Sequence, residues 1–254
     1  LKVTLLGTGT SQGVPVIGCS CEVCRSVDYR DQRLRVSVHL EVAGKSIIID
    51  SGPDFRQQVL RERIKTLDAL VFTHEHKDHT AGLDDIRAYN FSQRKDMPLY
   101  AEERVLKQLK QEFSYIFADF KYPGIPQVRL HTIDGLGPFE VEGVLFTPIR
   151  VMHYRLPVLG YRVGDFSYIT DANFISEEEK EKVKGSKVIV LDALRHEPHI
   201  SHFSLEEAVA LLEELQPEQA YLTHISHLMG LHREVEAELP EFIRLGYDGL
   251  QIEV

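Results

Sequence analysis

The chain has 254 residues, 43% of them hydrophobic and 27% charged, the make-up of a globular protein large enough to bury its own core. No apolar run approaches the ~20 residues of a membrane helix, and no secretory segment opens the chain; it starts at Leu1 rather than Met, which leaves a removed leader open. A net charge of −10 without a long Lys/Arg run argues against long nucleic acid as a partner.

Residues 2–6 predict a first strand, which Gly7-Thr8-Gly9-Thr10 ends. The long polar loop that follows holds all three cysteines, Cys19, Cys21 and Cys24. An odd number packed this tightly is a poor disulfide framework. It reads as a metal site in a reducing compartment, with the cytoplasm as the expected location and free reduced thiols as the alternative. Stretches 35–42 and 46–50 flank the turn at Gly44 and predict a hairpin, the second reading Ile47-Ile48-Ile49-Asp50. A helix is expected over 54–62. A third strand, 69–72, runs into Thr73-His74-Glu75-His76-Lys77-Asp78-His79, and one helix is expected from about 80 to 90.

Further strands are expected near 98–100, 127–132, 144–149, 160–163 and 166–170, with Gly164-Asp165 as the two-residue turn of the last pair. Residues 187–191 read as a buried strand. Residues 204–215 read as a helix, with Ser204 as N-cap, Glu207 closing a capping box, and Leu205, Ala208, Val209, Leu211 and Leu212 as its apolar face. Strands near 219–222 and 250–253 complete the order. No internal repeat or low-complexity linker divides the chain, so a single domain over 1–254 is expected. The order is compatible with two sheets packed face to face and helices outside.

The histidine-rich loop places four potential ligands within six residues directly after a buried strand. The strand fixes where the loop starts, so His74 and His76 can converge on one ion while Asp78 and His79 turn toward a second. Imidazole with carboxylate suits Zn²⁺, Mn²⁺ or Fe²⁺. The competing reading is a solvent-exposed histidine patch.

His-x-His-x-Asp-His after a strand resembles the signature of the metallo-β-lactamase superfamily. His153, Asp171 and His224 follow in matching order, each at or near the end of an expected strand. The resemblance implies an αββα four-layer sandwich with two catalytic divalent ions, Mn²⁺ or Zn²⁺ or else Fe²⁺. By that resemblance His74, His76 and His153 hold one metal, Asp78, His79 and His224 the other, and Asp171 bridges them. Asp50 resembles a residue that supports the histidine loop, with a helix N-cap as its alternative role. Residues 7–15 and 18–24, with Leu222-Thr223-His224-Ile225-Ser226-His227, are similar to the PhnP-like cyclic phosphodiesterases. In that family three cysteines and a distant histidine bind a structural Zn²⁺, which implies Cys19, Cys21, Cys24 and His227 here. His202 resembles the family's additional active-site histidine. His39, His131 and His232 read as ordinary core, surface or helix residues.

The implied activity is hydrolysis of a small cyclic phosphodiester, a 2′,3′-cyclic nucleotide or a cyclic ribose phosphate, by a hydroxide shared between two metals. His202 would assist the leaving alkoxide and Arg87 would contact the phosphate, with a solvated helix position as the bland reading of Arg87. The expected partner is this small substrate, with no membrane; a homodimer is left open. Three other functions stay open: a transfer-RNA 3′-processing type of nuclease, a thioester or lactone hydrolase, and a non-catalytic metal-binding module. A kinship of fold does not choose among them.

Overall fold

The computed structural model describes residues 1–118 and 122–254. Apolar runs such as Ile47-Ile48-Ile49 and Val188–Leu191 become strands covered on both faces. Ile47 and Ile49 point into the core between the sheets while Ile48 points to the outer helices. Val188 and Val190 likewise point inward and Ile189 and Leu191 outward. A strand with water on one face would have to alternate apolar with polar residues; these do not, because both faces are dry.

The first sheet contains β1 (Lys2–Gly7), β2 (Ser37–Val42), β3 (Lys45–Ile49), β4 (Ala69–Val71), β5 (Met97–Glu102) and β6 (Val128–Ile133). The second contains β7 (Phe139–Val141), β8 (Val144–His153), β9 (Leu156–Val163), β10 (Phe166–Ile169), β11 (Phe174–Ile175), β12 (Val188–Asp192), β13 (Gln219–Thr223) and β14 (Ile243–Leu245). The last strand, β15 (Gln251–Glu253), returns to the first sheet beside β1. Among the described residues the orders are β15-β1-β2-β3-β4-β5-β6 and β11-β8-β9-β10-β12-β13-β14, with β7 paired to β8.

The helices are α1 (Phe55–Arg61), α2 (Lys77–Thr80), α3 (Arg87–Gln93), α4 (Glu103–Glu112), α5 (Ser114–Phe117), α6 (Glu177–Val183), α7 (Leu205–Leu215) and α8 (His232–Glu238). Phe55, Tyr89, Val105 and Leu109 cover the outer face of the first sheet. Val183, Ala208, Leu211, Leu212 and Val235 cover that of the second. The result is an αββα sandwich. None of the described helices is long and apolar enough to cross a membrane.

Several elements differ from the sequence reading. The helix expected over 80–90 is three pieces: α2, a 3₁₀ turn at Leu83–Ile86, and α3. The break follows from close packing, since a Cβ on Gly82 would lie 2.2 Å from the Gly52 carbonyl oxygen. Helix α4 was not expected, although Val105, Leu106 and Leu109 give it a buried stripe. Helix α6 buries only Val183, so its sequence carries almost no apolar period. The short strands β7 and β14 sent no turn-to-turn signal long enough to read. The capping box of α7 forms as expected, with Ser204 and Glu207 bonded reciprocally.

β3, β4, β5 and β6 run parallel, as do β10, β12, β13 and β14. The carboxyl ends within each set therefore lie along one edge of its sheet, where the loops of an open α/β site are built.

Candidate metal centre

Asp50 follows β3, the histidine loop follows β4, Asp171 follows β10 and His224 follows β13; His153 and Asp192 close β8 and β12. Asp50, Asp171 and His224 all have left-handed backbone, with φ of 64°, 52° and 57°. Left-handed non-glycine residues cost about 1–3 kcal/mol each and persist only where surrounding contacts fix them. Two glycines let the loops meet: a Cβ on Gly52 would lie 2.0 Å from the Asp78 carbonyl oxygen.

Asp50 is fully buried and carries the histidine loop. It accepts from the Thr73 amide at 2.9 Å, the Thr73 hydroxyl at 2.8 Å and His79 Nδ1 at 2.7 Å. Because Thr73 Oγ1 gives its proton to Asp50, it accepts from His74 Nδ1 at 3.0 Å. His153 Nδ1 donates to the Ser201 carbonyl oxygen at 2.8 Å. Each of these bonds fixes a tautomer and leaves Nε2 with its lone pair free, the arrangement that a metal-binding imidazole needs. Asp50 is thus no helix cap; it orients two imidazoles.

The free nitrogens converge. His74 Nε2, His79 Nε2 and both ring nitrogens of His224 are buried without a hydrogen-bond partner, which is costly for polar atoms unless something else binds them. Asp171 Oδ2 lies 3.1 Å from His79 Nε2, and its Oδ1 lies 3.3 Å from His224 Nε2 and 3.9 Å from His74 Nε2. Asp78 Oδ2 is 3.4 Å from His79 Nε2. Ligands at ~2.0–2.2 Å from a shared ion are spaced by roughly 3–4 Å.

Asp78, His79, Asp171 and His224 make one such group; His74, His76 and Asp171 make another. The ligand atom of His153 groups with Asp171 and His202 instead of with His74 and His76. Asp171 belongs to all three groups.

Charge in this cluster is arranged in opposition. Burial disfavours charge on His79, yet the carboxylates of Asp171, Asp78 and Asp50 hold its pKa well above the usual histidine range. Burial also works against His224, but Asp171 and Asp78 push it up to about 9. Burial and the neighbouring His79 hold His74 well below its usual value. Burial would raise the Asp171 carboxyl, but the facing His224 and His79 hold it well below the carboxylate range. In the metal-free cluster protons therefore sit where cations would bind, so loading divalent ions must release them.

Asp192 was absent from the sequence reading. Its signal was present: Asp50, Asp171 and Asp192 each end an apolar strand run. Fully buried, it lies 3.2 Å from His202 Nδ1 and 3.7 Å from His224 Nδ1 and accepts the Ala172 amide at 3.1 Å. It thereby sets the orientation of His202, whose ring stacks on His224 at 4.6 Å between centroids. Asp192→Asn should lower kcat by about 10- to 100-fold with KM within a few-fold, in steady-state assays at saturating metal. Unchanged kcat would remove the orienting role.

The second cluster lies at the cysteine loop. His227 Nδ1 is 3.4 Å from Cys19 Sγ, 3.4 Å from Cys21 Sγ and 3.6 Å from Cys24 Sγ. A tetrahedral zinc with Zn–S ≈ 2.3 Å and Zn–N ≈ 2.0–2.1 Å separates such ligands by about 3.6 Å. The backbone amides of Cys21, Cys24 and Val16 point at the sulfurs of Cys19, Cys21 and Cys24. The Cys24 amide and His227 lower the Cys21 thiol to about 6, toward the thiolate that a metal takes. These residues fit a closed Cys₃His site. His232 is not an isolated helix residue: it is buried and 3.1 Å from the buried Arg33 guanidinium.

Arg87 is not brought into either cluster. It is exposed on α3, paired to Asp84 at 3.3 Å. The cation beside the cluster is Arg155, which with Tyr154 forms the turn between β8 and β9, directly after His153.

Comparison with known proteins places this geometry in context. A family profile described as a beta-lactamase superfamily domain matches residues 45–225. An octanoyltransferase of Porphyromonas gingivalis is 41% identical over 253 residues, 99% of this chain and 51% of the relative. The chain spans about half the length of the first curated relatives it matches. Among solved structures, a diphosphatase from the PhnP family superposes with a TM-score of 0.92 at 43% identity, covering 100% of this chain and 97% of the other. Zinc-bound PqqB from Methylobacterium extorquens superposes with a TM-score of 0.81 over 100% of both chains, at 17% identity, a likeness of fold alone.

Proposed function

Because this chain belongs to the metallo-β-lactamase superfamily, among its PhnP-like members, we propose that it is a metal-dependent hydrolase of small phosphodiesters, cyclic ones in particular. The observation that carries this reading is the convergence of unpartnered imidazole nitrogens on Asp171, which all three catalytic groups share. Two divalent ions bound there would supply Lewis acidity at the phosphoryl oxygens and activate water. The mixed nitrogen and oxygen donors suit Zn²⁺, Mn²⁺ or Fe²⁺, whereas the three thiolates select a structural Zn²⁺.

The chain's own part is orientation and proton handling. Asp50, Thr73 and the Ser201 carbonyl fix the ligand tautomers, so no side chain need reorganise when the phosphoryl group arrives. His202 turns Nδ1 to Asp192, which leaves Nε2 to pass a proton to the departing oxygen. A strained five-membered cyclic diester breaks one bond to a poor alkoxide leaving group, the case in which such a proton matters most.

His202→Ala should therefore slow a 2′,3′-cyclic nucleotide by about 10²-fold, and an activated p-nitrophenyl diester by much less. Equal losses on both, in parent and variant at saturating metal, would remove the leaving-group role.

A second reading, cleavage of a diphosphate linkage, is favoured by the relative described as a diphosphatase. The same site would attack either phosphorus, and only the leaving oxygen differs. A panel of cyclic nucleotides, diphosphates, thioesters and lactones, assayed with Mn²⁺, Zn²⁺ and Fe²⁺ separately, tests the assignment. Brisk thioester or lactone cleavage without turnover of any phosphate substrate would overturn it.

A further inference from the structure

Beside the metal-ligand cluster lies an open cavity of about 490 Å³. It is lined by His76 and His153 of the candidate ligand set together with Tyr154, Arg155, Leu156 and Ile200. Two of these present apolar surface to water: Ile200 is 63% exposed and Tyr154 49%. Both are held by the catalytic loops. The Tyr154 amide donates to Asn173 Oδ1 at 2.8 Å, two residues beyond Asp171. Ile200 precedes Ser201, whose carbonyl fixes His153. The guanidinium of Arg155 lies 5.1 Å from the centroid of the Tyr154 ring. Nearby cations are paired: Lys77 with Glu112, and Arg104, which also donates to the Pro157 carbonyl, with Glu75 and Glu102. None of the ion pairs among the described residues includes Arg155.

An exposed aromatic ring, a guanidinium over its face and an aliphatic side chain line an open cavity that suits a flat, π-bearing group. Bases stack on tyrosine rings and on guanidinium planes alike. A cavity of this size takes a nucleoside-sized group. We infer that the hairpin tip Tyr154–Arg155 and Ile200 form the specificity subsite for a planar ring, a nucleobase, attached to the phosphoryl group that the metal cluster receives. This rests on the phosphodiester reading of the metal centre and narrows its substrates to nucleotides over sugar phosphates that lack a base. Tyr154 and Ile200 act on binding of the remote ring and leave the reacting atoms alone.

The test compares adenosine 2′,3′-cyclic phosphate with methyl riboside 2,3-cyclic phosphate, in which a methoxy group replaces the base. The metal-loaded parent should prefer the nucleotide in kcat/KM by at least 10-fold. Tyr154→Ala should raise KM for the nucleotide roughly 10- to 100-fold, the usual worth of one base–aromatic stack. It should leave kcat and the methyl riboside nearly unchanged. Tyr154→Phe should retain parental KM, and Ile200→Ser, in the other loop that lines the cavity, should repeat the loss. No preference in the parent, equal losses on both substrates, or an unmoved nucleotide KM in both wall variants would overturn the subsite. If the parent cleaves neither substrate, the phosphodiester reading itself fails. Calorimetry with adenosine 5′-monophosphate then decides the subsite: tighter binding to parent than to Tyr154→Ala supports it, and no binding or equal Kd values reject it.

Discussion

Replacing Asp171 by Ala is expected to lower catalytic efficiency by on the order of 10³-fold or more, and to leave the protein with fewer bound divalent ions. The size follows from position. Asp171 is the one residue common to the three clusters, and its two oxygens face His79 on one side and His74 and His224 on the other. Its carboxylate also does the most to raise His79 and His224 against their burial. Without it only Asp78 and the more distant carboxylates oppose that burial. Metal analysis of the purified variant beside a phosphodiesterase assay checks both halves. A fully active Asp171→Ala protein that retained two ions would remove the bridging role. The fold should survive, since Asp171 sits in a turn beyond β10 and the strand's core contacts through Phe166 and Tyr168 are untouched.

Cys21→Ser is expected to remove the structural zinc, lower the melting temperature by about 10 °C or more, and leave the catalytic ions in place. A zinc held by the Cys₃His cluster would fasten the polar N-terminal loop to the loop of His224, because His227 lies three residues beyond it. Binding free energy in such a site is folding free energy. Loss of ~3–5 kcal/mol in a chain of this size converts to roughly 6–20 °C, centred near 10 °C. Zinc content by plasma emission, thermal unfolding and activity measured on one preparation separate the two sites. An unchanged zinc content would reject the site. A melting temperature unchanged despite one missing zinc would reject its structural role.

The candidate ligand residues were legible in the sequence because their chemistry is local. Four donors within six residues, directly after a buried strand, need no distant contact to be noticed. Three cysteines within six residues are local in the same sense. The strand positions were legible because runs such as Ile47-Ile48-Ile49 are dictated by burial on two faces. Helix α4 escaped notice despite its apolar stripe, and α6 had almost none to notice, since its first turn is three glutamates and only Val183 is buried.

The amino-acid order by itself determined which side chains can bind metal and roughly where each strand ends. Only the tertiary structure decided which of them meet. His153 groups with Asp171 and His202, which the second sheet also supplies, and its ring meets that of His76, from the first sheet, at 5.2 Å between centroids. Asp192 supports His202 across ten residues of sequence because β12 and the loop before α7 meet at the edge of one sheet. Arg87 lies on an exposed helix face and Arg155 at the cleft, a choice made by where the β8–β9 turn projects. Residue type fixes what an atom can bind; the distances that make it bind are set by how strands from two sheets end at a common edge.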